Sequence, residues 1–155
     1  MSPMRLAEAL ISRADMQKRL AQLQARIIEN ARVQEGDQPA EDPTKLIAEF
    51  EELLQSLVSL ISRINQTNLS VVLPSGQSLT DAIAVRDGYK IQAAMYRAVA
   101  DAGIGKQARV TRSEVKFVAT VKVGGLREDA DRVSRLHREL DSAIQEANWK
   151  YDLVG

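Results

Sequence analysis

Three stretches of this chain repeat apolar residues every three or four positions, a period that commits them to helices packed along seams. From Pro3 to about Val33, alternating steps of three and four fall on Leu6, Ala9, Arg13, Met16, Leu20, Leu23, Ile27 and Asn30. Leu10, Ile11 and Ile28 widen that stripe, and Ser2-Pro3 supplies a cap followed by a proline at the first helical position. Gln34 to Asp42 is a polar loop broken by Gly36 and Pro39, after which Asp42-Pro43 starts a second helix in the same way. Its seam is Leu46, Phe50, Leu53, Leu57, Leu60 and Ile64, while Ile47, Leu54, Val58 and Ile61 broaden it beyond a coiled-coil stripe. So wide a face predicts more than one neighbour. A last helix, after Gly124-Gly125 and up to about Trp149, repeats Leu126, Ala130, Val133, His137, Leu140, Ile144 and Ala147. Its flanks carry i,i+4 pairs such as Glu128 with Arg132 and Arg135 with Glu139.

The intervening chain reads differently. Asn65 to Asn68 closes the second helix, and Leu69 to Leu73 reads as a short strand before the turn Pro74-Ser75-Gly76-Gln77. Ser78-Leu79-Thr80-Asp81 has the form of a helix start, and the third helix runs to about Ala102, ended by Gly103 and Gly105. From Glu114 to Val123 the residues alternate: Val115, Phe117, Ala119, Val121 and Val123 share one face, and Lys116, Val118, Thr120 and Lys122 the other. That pattern predicts a second strand.

The expected fold is therefore mainly α with a small β element (α+β), in the order α-α-β-α-β-α. Long antiparallel amphipathic helices form a single domain over residues 1–155, with strands near 69–73 and 114–123. Two strands are too few for an independent sheet, so they pair with each other, pack on helices or extend a sheet from another subunit. A first helix of about 30 residues is about 45 Å long, whereas a compact globule of this chain length is about 40 Å across. Apolar stripes on helices of that length are best buried by another copy of the chain.

Composition excludes several classes. The 21 basic residues are balanced by 21 acidic ones, so there is no basic excess of the kind that nucleic acid or anionic membrane surfaces select. There is no cysteine, which removes disulfide scaffolds, thiolate nucleophiles and thiolate zinc sites. No apolar run approaches a membrane span, and the first residues lack the apolar core of a secretory signal, so the expected compartment is the cytoplasm.

Chemistry-bearing residues are few. His137 is the single histidine and lies on the apolar seam of the last helix, where a structural role outweighs a general-base or metal role. Arg86-Asp87 and Arg112-Ser113-Glu114 are polar clusters beside apolar segments. They suit a buried ion-pair network or, because arginine forks grip carboxylates and phosphates, an anion pocket. Arg86, Asp87, Arg112, Glu114 and His137 form the candidate polar cluster, and no catalytic, cofactor-binding or metal-ligating residue is assigned. Lys106, Arg109, Arg112, Lys116 and Lys122 make a modestly basic stretch, but only Phe117 could stack on a base, so a solvated face is the better reading. The carboxylates of Glu49-Glu51-Glu52 and Glu128-Asp129-Asp131 spread around their helices instead of converging. The glycines near 103–105 and 124–125 match no phosphate-binding fingerprint.

Several blocks occur together in order. They are Leu6-Ala7-Glu8-Ala9-Leu10-Ile11, Asn30-Ala31-Arg32-Val33-Gln34-Glu35-Gly36, Glu41-Asp42-Pro43, Arg63-Ile64-Asn65, Leu79-Thr80-Asp81-Ala82, Arg112-Ser113-Glu114-Val115-Lys116 and Arg138-Glu139-Leu140-Asp141 with Asn148-Trp149. In this combination the chain resembles the septicolysin-like family of small bacterial proteins, from about residue 4 to 152. The resemblance implies a helical fold with a small β element that assembles as a homo-oligomer, a dimer or a hexamer built from dimers. No enzymatic activity, cofactor or catalytic residue is carried over from it.

The expectation is a non-enzymatic cytoplasmic homo-oligomer whose partner is itself, with no nucleic-acid or membrane partner. The alternatives are a membrane-active, cytolysin-like protein, as the family name implies, and a small-ligand binder or enzyme using the polar cluster at a subunit interface. The chain has neither a cysteine for thiol activation nor a long amphipathic β-hairpin, which argues against the cytolysin reading.

Overall fold

The computed structural model describes residues 2–105 and 115–155. The described chain folds into helices α1 (Leu6–Glu29), α2 (Pro43–Ser70), α3 (Leu79–Ile104) and α4 (Val123–Lys150). Two compact units result: the chain up to Val72 together with Glu146–Gly155, and the described part of Leu73–Gln145.

In the first unit α1 and α2 form an antiparallel hairpin. Its core is Leu20 and Leu23 of α1 against Leu46, Leu53 and Leu57 of α2, with Met16, Ile27, Phe50 and Ile61 packed on it. α2 starts as its sequence dictates: the Asp42 carboxylate accepts from the Thr44 amide at 3.0 Å, and Pro43 fills the first turn. The connection between the helices is latched. Arg26 grips the Glu41 carboxylate with two donors, Nε at 3.0 Å and Nη2 to the other oxygen. Asn30 donates to the Arg26 carbonyl at 2.9 Å and accepts from the Glu41 amide at 3.1 Å. The Arg26 hydrogen bonds hold the Glu41 carboxyl below its ordinary pKa, and those with Glu41 raise that of Arg26.

The C-terminal tail closes the open end of the hairpin, where α1 begins and α2 ends. Arg5 and Asp152 form an antiparallel bridge, flanked by bonds from the Leu6 amide to Tyr151 at 2.9 Å and from the Leu153 amide to Met4 at 2.8 Å. Arg5 Nη1 adds an ion pair to Asp152 at 2.8 Å. Because Met4 and Arg5 are engaged there, α1 begins at Leu6 and not at Pro3, and it ends at Glu29, capped by Asn30.

In the second unit the Leu73–Gln77 segment is a closed turn, with the Leu73 amide on the Gln77 carbonyl at 2.8 Å and the Gly76 amide on Leu73 at 2.9 Å. Ser78 Oγ then caps α3 by accepting from the Asp81 amide at 3.1 Å. α3 buries mainly small residues, Ala82, Ala93 and Ala100 with Leu79, and α4 buries Ala130, Val133 and Ile144. Polar links run from Arg86 to Asp141, Arg97 to Ser134 and Asp101 to Arg127. Numbers rise along one helix as they fall along the other, so α3 and α4 are antiparallel.

The expected β element is absent among the described residues, and the fold is all-helical there. Leu69 and Ser70 are the last turn of α2, and Val71 is its C-cap. The helix reaches that far because Thr67, fully buried, satisfies its hydroxyl on the Arg63 carbonyl at 2.7 Å, and the Val71 amide returns to Thr67. The second expected strand, 114–123, fails as well: its described residues 115–122 are irregular, and Val123 already belongs to α4. Alternation predicts a strand only if one face is covered, and here Val115, Phe117 and Val118 are exposed at 71%, 93% and 82%. Val121 and Val123 instead cross α3 so closely at Gly103 that a Cβ there would lie 3.0 and 2.9 Å from their methyls.

Candidate functional site

The polar cluster is organised around Arg86. Its place on α3 sets the guanidinium against α4, where Nη1 meets Asp141 Oδ1 at 3.0 Å, while Nε meets Asp87 Oδ1 at 3.1 Å. Two carboxylates thus offset one guanidinium charge. The arrangement is an ion-pair triad that fixes α3 against α4, and it leaves little attraction for an incoming anion. Asp141 was missed in the sequence. Its signal was position: it follows Leu140 of the α4 seam and so borders the packed face.

His137 lies one turn before Asp141 on α4 and is half-buried. Arg112 and Glu114 lie outside the described residues. A groove of about 320 Å³ in the same unit is lined by Pro74, Val85, Tyr89, Leu136 and Leu140, and neither Arg86 nor His137 lines it. Among the described residues no buried side-chain polar atom lacks a partner, and no group of three His, Asp or Glu side chains is placed to hold a metal ion. No helix of the described chain is long and apolar enough to cross a membrane. The cluster brings together Arg86 and Asp87, adds Asp141, and presents no nucleophile with a base beside it.

Among the described residues, α2 also carries an uncovered apolar row. On a wheel of about 100° per residue, Leu46, Leu53, Leu57, Leu60 and Ile64 mark one side of α2, and Ile47, Leu54 and Val58 fall within about 40° of one another on a neighbouring side. The first set is buried at 0–8% exposure against α1 and the tail. The second is exposed at 43%, 41% and 59%. The wide stripe read from the sequence is real, but only half of it is covered.

The chain is similar to known proteins at the level of fold and family, without a function attached. It matches the crystal structure of a functionally unknown conserved protein from Corynebacterium diphtheriae at 40% identity, with a TM-score of 0.92, over 99% of this chain and 100% of that one. No curated protein matches it. Residues 13–153 match the model of a family of unknown function, DUF6847.

Proposed function

The chain belongs to the DUF6847 family of unknown function, and we propose that it is a non-enzymatic homo-oligomer assembled through the uncovered face of α2. The exposed row Ile47, Leu54 and Val58 carries this reading. Fully burying an aliphatic side chain contributes about 1.5–3 kcal/mol, and covering the exposed part of these three on each copy works in favour of association.

A second copy is the occupant that the helix itself suits. α2 runs from Pro43 to Ser70, and Leu54 and Val58 straddle its midpoint. A two-fold axis there sets Leu54 of one copy against Val58 of the other, so this central pair is self-complementary, as an isologous interface requires, and Ile47 flanks it. At 28 residues α2 is about 42 Å long. α1, with 24 residues, is the shorter of the two.

The absence of native cysteine makes a direct test available. Leu54→Cys/Val58→Cys is expected to give covalent dimers on mild oxidation, while Gln66→Cys, exposed on another flank of α2, gives few. Equal cross-linking at both sites contradicts the proposed axis.

A further inference from the structure

A second groove lies on the opposite flank of α2, within the first unit. It has a volume of about 470 Å³, and Ser12 and Met16 of α1 face Gln55, Ser59 and Arg63 of α2 across it. Ser56, Ser59 and Arg63 follow the i, i+3, i+7 spacing of one helix face, and Ser12 and Met16 are an i, i+4 pair on the other helix. The positions follow from the hairpin register.

The donors are uncommitted. Helical serine and threonine usually return their hydroxyl to a carbonyl of the preceding turn. Ser56 does so to Glu52 at 3.2 Å, Thr67 to Arg63 at 2.7 Å and Ser70 to Thr67 at 3.0 Å. Ser12 and Ser59 make no such bond among the described residues, and the Gln55 amide has no partner there either. Arg63 is held by one edge only, its Nε donating to the Val154 carbonyl at 2.9 Å. That bond orients the guanidinium plane. Its terminal nitrogens meet no carboxylate of the described residues, in contrast to Arg5, Arg26 and Arg86. No carboxylate lines the groove.

We propose that this groove binds a phosphomonoester. Arg63, Ser12, Ser59 and Gln55 offer donors from both helices, which suits the three terminal oxygens of a tetrahedral oxyanion better than the two coplanar oxygens of a carboxylate. Met4, Met16 and Leu60 form an apolar wall for the organic group of the ester. The site lies on a different flank of α2 from the proposed self-association face, so either can fail without the other.

Calorimetric titration of the full chain with hexyl phosphate, inorganic phosphate and hexanoate at fixed ionic strength tests this. Hexyl phosphate is expected to bind more tightly than either of the others. Arg63→Gln weakens it about tenfold or more, as loss of a charge-assisted pair requires. Because Arg63 also holds the tail, Ser12→Ala/Ser59→Ala, which keeps the Val154 bond, serves as the second variant and is expected to weaken binding several-fold. Cosedimentation with phosphatidylcholine vesicles containing phosphatidic acid separates the sources. Uptake by the wild type but not by Arg63→Gln assigns a lipid headgroup, and no uptake with hexyl phosphate still bound assigns a soluble ester. Absence of binding to any phosphate probe, or binding equal in the wild type and both variants, overturns the proposal.

Discussion

Thr67 and Val154 meet across 87 residues of sequence, the Val154 amide donating to Thr67 Oγ1 at 3.0 Å. Thr67 is fully buried, and its hydroxyl donates in turn to the Arg63 carbonyl. Arg63 Nε takes the Val154 carbonyl, so both backbone groups of that tail residue are satisfied by α2.

Thr67→Val keeps the volume but removes the acceptor of the Val154 amide. A buried donor left without a partner costs about 1–3 kcal/mol. Urea unfolding is expected to show a lower midpoint with little change in slope; an unchanged midpoint means that the tail bond contributes nothing.

The Arg26–Glu41 latch gives a pH dependence with a definite sign. Arg26 depresses the Glu41 carboxyl in the folded state, so its contribution is complete above the unfolded value of about 4.3 and is lost as pH falls through the lower folded value. The stability difference between the wild type and Glu41→Gln is therefore expected to be constant near neutrality and to shrink in acid. A difference that grows on acidification contradicts the latch.

Much of the helical core was legible in the sequence. The expected seam of α2 is its buried face at five of six positions, with Phe50 half-buried, and Asp42-Pro43 caps it. Two things were not legible. Alternation at 115–123 resembles a strand because apolar spacing records what could be buried, whereas a strand also needs one face covered, and Phe117 and Val118 are exposed. Leu69 and Ser70 looked like the start of another strand because the contact that prolongs α2, Thr67 with Val154, is made by a residue 87 positions away. The candidate site suffered similarly. Arg86 and Asp87 are neighbours in sequence, but Asp141 joins them only through the α3–α4 register.

The absence of a strand over the described residues 115–122 predicts a tolerant segment. Phe117→Ser is expected to change stability by no more than about 0.5 kcal/mol, as surface substitutions do. A phenylalanine in a covered strand face would cost about 3–5 kcal/mol. Thermal unfolding of the variant distinguishes the two.

Gly76 closes the Leu73–Gln77 turn with φ at +89°, and nothing lies within 4 Å of where its Cβ would be. Gly76→Ala therefore meets no neighbour but is strained against its own backbone in the left-handed region, which costs about 1–2 kcal/mol. A stability equal to that of the wild type would place this turn in another conformation.

Light scattering after size exclusion tests whether the Ile47, Leu54 and Val58 row of α2 is covered by a second copy. The wild type at micromolar concentration is expected to have at least twice the mass of the chain. Val58→Glu is expected to shift the mass towards the monomer with helical content unchanged, because it places a charge at the centre of the contact. A wild type that is monomeric under these conditions, or an assembly indifferent to Val58→Glu, contradicts self-association through this face of α2.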